Sequence, residues 1–112
     1  MAKVGRFVTD PKAGAYCQIT LDSGEKIVVN HDKGGFKGGR LTIEVSKFMG
    51  LSSERIFACD LDSPEGAAAL RRLTGRAEGV EATPLGAFVS QVKECGSVAE
   101  VKARCGALMS GT

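Results

Sequence analysis

The hydrophobic periodicity of this chain changes once, near residue 62, and that change restricts its fold more than any other feature. Upstream, Cys17, Ile19 and Leu21 alternate with Gln18 and Thr20, and Leu41, Ile43 and Val45 alternate with Thr42 and Glu44. This is the period of two of strands with one apolar face. Val4, Arg6 and Val8 alternate in the same way with Gly5, Phe7 and Thr9. Lys26-Ile27-Val28-Val29-Asn30 follows a hairpin turn at Asp22-Ser23-Gly24-Glu25. Arg55 to Leu61 is apolar on both faces, which predicts a central strand, and Lys47-Phe48-Met49-Gly50-Leu51 reads as a short turn of helix.

Downstream the punctuation is helical. Ser63-Pro64-Glu65 supplies an N-cap, a proline at the first helical position and an acid in the first turn, with Leu70 and Leu73 as the apolar stripe and Gly75 as a stop. Thr83-Pro84 opens a second helix, in which Leu85, Phe88, Val89 and Val92 follow the i, i+3, i+4, i+7 spacing of a buried face. After Gly96, Ser97-Val98-Ala99-Glu100 matches a capping box, and Val98, Val101, Cys105 and Leu108 continue one face. Strands followed by helices, segregated along the chain, predict an α+β fold. We expect a small antiparallel five-stranded sheet or an SH3-like or OB-like barrel, followed by three short helices. Residues 1–62 form the β-rich part and residues 63–112 a helical part, packed on it as one domain.

With 43% apolar residues in 112, the chain can bury a core without metal or disulfide staples. No apolar run approaches the roughly 18 residues of a membrane span, and the first residues lack the apolar core of a signal peptide. A cytoplasmic protein with no membrane partner is therefore expected. Net charge is +2 and the pI near 8.4, below the value of about 9 typical of dedicated nucleic-acid domains. The charge is uneven, however. Residues 1–40 carry seven Lys/Arg against four Asp/Glu, and residues 41–70 two against five. Cys17, Cys59, Cys95 and Cys105 are scattered without a close pair, so neither a zinc site nor a disulfide framework is expected. Cys95 and Cys105 would lie about 15 Å apart along a helix axis, too far to bridge. Buried free thiols fit best.

One segment breaks the regular pattern. Asn30-His31-Asp32-Lys33-Gly34-Gly35-Phe36-Lys37-Gly38-Gly39-Arg40 gathers four glycines, three cations, one aromatic and the only histidine. It lacks the Gly-Lys-Ser/Thr ending of a nucleotide-triphosphate loop, and it leads into a strand, unlike a dinucleotide fingerprint. It remains a cationic, backbone-exposing connection. Lys33, Lys37 and Arg40 could contact phosphates while Phe36 stacks on a base, the mode of sequence-tolerant single-strand binders. A plain hairpin connection is the structural alternative. Arg71 and Arg72, with Arg76 beyond, form a second basic cluster, although cations in a helix's last turn already complement its dipole. His31-Asp32 as an oriented base is disfavoured because neighbours in an extended segment face opposite ways, and a solvated loop histidine is expected.

These residues point to a non-catalytic binding module that docks an anionic partner, single-stranded nucleic acid or RNA, through Lys33, Phe36, Lys37 and Arg40, with Arg71 and Arg72 as secondary contacts. The alternative is a protein-interaction or homodimerising module using the C-terminal helical hairpin, with Phe88 at its centre. An enzyme built on His31 ranks last. No cofactor or metal is called for.

Overall fold

The computed structural model describes residues 3–10, 14–32, 39–47, 50–74 and 84–110. Five strands, β1 (Lys3–Asp10), β2 (Gly14–Thr20), β3 (Lys26–Asp32), β4 (Arg40–Lys47) and β5 (Ser52–Asp60), precede three helices, α1 (Pro64–Thr74), α2 (Pro84–Val92) and α3 (Val98–Ser110). The arrangement is α+β. The strands pair antiparallel in chain order, β1-β2-β3-β4-β5, so β1 and β5 are both edges. The sheet is open, and the barrel alternative is not realised.

The alternation noted in the sequence decides what each face carries. Across the strands, Cys17, Val29, Ile43 and Phe57 stand in one row and Ala15, His31, Leu41 and Cys59 in the next. These side chains, with Ile19, Ile27 and Val45, form the helix-covered face. Phe88, Val92, Val101, Cys105 and Leu73 descend onto it, and the Phe57 and Phe88 rings meet at 5.5 Å. The helix α2 rests over β2 and β3, α3 over β5, and α1 packs on α2 and α3. Apolar residues surround most of α2 because it is enclosed by the sheet and the other helices. The face centred on Phe88, a possible partner surface in the sequence, is thus buried in the chain's own core.

Three expectations need correcting. The segment 55–61 is not a central strand; β5 is an edge, and a bulge opposite Ile43 and Glu44 leaves Ile56 unpaired, with Ile56 and Phe57 both packed against the core. The strict alternation read in β1 is also broken. A shift between Val4 and Phe7 turns both toward the helical side, and they remain 39% and 44% exposed. Lastly, His31 is not a loop residue. The strand β3 continues to Asp32, and His31 is buried with only 6% exposure. The helical turn expected over 47–51 falls partly outside the described residues; Gly50 takes a φ of 91° between β4 and β5.

Local interactions fasten the layers. Ser63 caps α1: its hydroxyl accepts the Gly66 N–H at 3.0 Å and donates to the Asp60 carbonyl at 2.7 Å. Gly66 is required there, because a Cβ would lie 1.8 Å from that carbonyl oxygen. At the opposite end, the β2–β3 hairpin grips the start of α3. The Ser23 N–H donates to the Gly96 carbonyl at 2.9 Å, and Glu25 accepts the Val98 N–H at 3.1 Å. The capping box of α3 is therefore shared: Ser97 accepts the Glu100 N–H at 3.4 Å, while the Glu100 carboxylate takes the N–H of Gly96.

Candidate functional site: the helix-free face of the sheet

The face turned away from the helices is built from the other parity of the same strands. Its middle row runs Val8, Tyr16, Asn30, Thr42 and Ala58. On one side stand Gln18, Val28, Glu44 and Arg55, and on the other Gly14, Asp32, Arg40 and Asp60. Neighbouring strands are about 4.8 Å apart, so this lattice gathers its side chains within a small area. Gly14 contributes no side chain, and Thr42 and Ala58 are short, whereas Tyr16, Arg40 and Arg55 are long. The result is a groove of about 370 Å³ lined by Tyr16, Asn30, Arg40, Thr42, Glu44 and Arg55, with Asp32 at its rim. Thr42 shows its depth: it faces away from the helices yet is only 4% exposed. Tyr16 is 44% exposed.

The charges within the groove are matched. Arg55 lies 3.6 Å from Glu44, and Arg40 occupies a row between Asp32 and Asp60. Of the cationic segment singled out in the sequence, Lys33, Phe36 and Lys37 lie outside the described residues. Both of its anchors are at the groove: Asp32 ends β3 at the rim, and Arg40 opens β4 on the lining. Gly39 holds the returning end in place. Its φ is 84°, a Cβ there would come within 2.5 Å of the His31 ring, and its carbonyl accepts the Leu61 N–H at 3.0 Å.

The helical cations sit elsewhere. Arg72 donates from Nε to the Leu108 carbonyl at 3.3 Å, serving the last turn of α3, where carbonyls lack helical partners. Arg71 is exposed on α1. Since α1 belongs to the helical layer, Arg71 and Arg72 do not share the sheet face of Arg40. Arg76 lies outside the described residues.

The nucleophile and base alternatives find little geometry. His31 and Asp32 occupy opposite faces of β3, and Leu41 stands between His31 and Cys59. All four cysteines are buried free thiols. Burial pushes each thiol's pKa up, that of Cys105 to about 12, which opposes formation of the reactive thiolate. Among the described residues, no three His, Cys, Asp or Glu side chains group to hold a metal ion, and no helix is long and apolar enough to cross a membrane. A second depression, about 430 Å³ beside α3, is lined by Glu94, Cys95, Glu100, Ala103, Arg104 and Ala107. There Arg104 reaches Glu94 at 3.0 Å and Gln91 at 3.3 Å.

Sequence reasoning passed over Tyr16, Asn30, Thr42 and Arg55. A signal existed: Tyr16 is the only tyrosine, and the tight turn after β2 sets Tyr16 opposite Asn30 once the meander is assumed. No protein-family model matches the chain, and no curated protein or solved structure matches it either.

Proposed function

We propose that this chain is a non-catalytic binding module that docks single-stranded nucleic acid along the helix-free face. One observation carries the reading: the two anchors of the cationic 33–38 segment, Asp32 and Arg40, border the same groove that exposes Tyr16. Lys33 follows Asp32 directly in the sequence and Lys37 precedes Arg40 by three residues, and the reading assigns to these two lysines the contacts with phosphate. Single-strand binders combine such cationic tracks with aromatic faces. Arg40 is offset by Asp32 and Asp60, so the lysines supply most of the attraction for phosphate.

Binding of a labelled oligonucleotide, followed by anisotropy across a salt series, tests this. Two or three phosphate contacts give a log–log slope of about −1.4 to −2.1 on single strands, and the Lys33→Glu/Lys37→Glu double variant should flatten it. Absent or salt-independent binding would refute the reading.

A second reading, self-association, is favoured by β1. Among the described residues it is an edge of the sheet, and its Val4 and Phe7 are half-exposed. Such edges invite strand pairing, but a bulge of the kind found here is also a device that discourages it. Self-association therefore ranks second. Light scattering should then show a concentration-dependent dimer that Phe7→Lys abolishes; a constant monomeric mass rules it out.

A further inference from the structure

We infer that the floor of the helix-free groove is a base-binding subsite, with Tyr16 as its stacking platform and Asn30 and Thr42 facing the base edge. This rests on the reading that a single strand docks on this side of the sheet, and it assigns a distinct role to residues that carry no charge.

The composition of the floor argues for a base rather than a phosphate. A phosphate site would concentrate cations. Here the two arginines of the lining are balanced by Glu44 and Asp32, with Glu44 3.6 Å from Arg55. An apolar partner segment would want an apolar floor, yet Val28 is the one aliphatic side chain that this face of the sheet contributes to the lining. What the floor offers is a mixture. The Asn30 amide, whose Nδ2 donates to the Val28 carbonyl at 3.5 Å, keeps a second N–H and a carbonyl oxygen; the Thr42 hydroxyl both donates and accepts, the arginines donate and the carboxylates accept. Base edges present this kind of mixed pattern, and single-stranded bases are read on those edges while stacked on aromatic or guanidinium planes. Tyr16 is directly opposite Asn30, and Asn30 opposite Thr42. A base on the Tyr16 ring would thus lie beside both groups, one and two strands across. Tyr16 keeps 44% of its surface exposed and Thr42 only 4%, so the platform stands above a recessed floor.

The test compares two fluorescein-labelled single-stranded DNAs of about 12 nucleotides, within the usual single-strand site size. One is of mixed sequence and the other is abasic with the same phosphates. Both are titrated with the full chain and with Tyr16→Ala and Tyr16→Phe. Tyr16 is on the surface, and circular dichroism confirms that each variant is folded. The wild-type chain should bind the intact strand about ten-fold more tightly than the abasic one, in keeping with the loss of one stacked base. Tyr16→Ala should abolish that preference without changing the salt slope, and Tyr16→Phe should keep it. Equal binding of both strands, or a preference that survives in Tyr16→Ala, overturns the subsite and leaves phosphate docking standing. Failure of the wild-type chain to bind either strand overturns both.

Discussion

The carboxylate of Glu25 accepts the N–H of Val98 at 3.1 Å, so a β-hairpin turn caps a helix 73 residues later in the chain. Ser23 donates to the same oxygen at 2.7 Å. The Ser23 hydroxyl, and then the Val98 N–H, hold the Glu25 carboxyl below its ordinary pKa of 4.5. A folded-state pKa below the unfolded one adds stability above the unfolded value, and that stability is lost as pH falls through the folded value. Glu25→Ala should therefore cost about 0.5–1 kcal/mol near neutral pH, the low end of a capping loss because the site is open to solvent. In urea titrations the gap from wild type should close as pH drops below about 4.5. A gap that stays constant to lower pH would show that the carboxylate charge is irrelevant.

Three glycines should respond differently to alanine. At Gly66 the new Cβ meets the Asp60 carbonyl oxygen at 1.8 Å, a backbone atom that cannot swing aside. At Gly39 it meets the His31 ring at 2.5 Å with φ at 84°. Both substitutions should destabilise by about 2–3 kcal/mol or more, through overpacking and, at Gly39, backbone strain. Gly106 lies exposed within α3 with nothing near its Cβ position. There alanine should stabilise by about 0.5–1 kcal/mol. Denaturant midpoints at constant m-value report all three.

Phe88 is 1% exposed and packs on Phe57. Phe88→Ala should cost about 3–5 kcal/mol, a large part of the stability of a domain this size. Phe88→Asp should unfold the chain. Loss of helical circular dichroism would accompany any loss of association, whereas a folded monomer would mean that this face serves a partner.

The distance between what the sequence told and what it withheld follows from the range of the interactions involved. Strands and helices were legible because their periods and caps are local: Cys17-Ile19-Leu21, Ser63-Pro64 and Ser97-Glu100 each announce themselves within a few residues. The antiparallel order was accessible because short turns leave little choice. Edge and centre were not. β5 reads as apolar on both faces, yet a bulge at Ile56, invisible in composition, and its place at the end of a meander make it an edge. The burial of His31 escaped for a similar reason, since it depends on Gly39 returning across it. The groove was hidden because it needs three strands in register. Its residues are the unremarkable polar positions between the apolar ones, and only cross-strand pairing makes neighbours of Tyr16, Asn30 and Thr42.

The thiols offer a check on the core that is independent of mutation. Burial raises the pKa of all four, that of Cys105 to about 12. In the native protein at mildly alkaline pH, an aromatic disulfide reagent should label them slowly, at a rate set by unfolding, and all four should react at once in denaturant. Rapid labelling of one thiol in the native state would mean that its side of the core opens.

The most direct test of the account uses the one tyrosine of a chain that has no tryptophan. Its intrinsic fluorescence comes essentially from Tyr16, on the groove. Titration with unlabelled single-stranded oligonucleotide should quench that emission saturably, at the same midpoint as anisotropy, because a stacked base lies against the ring. Binding detected by anisotropy with tyrosine emission unchanged would contradict the account and move the docking surface off the helix-free face.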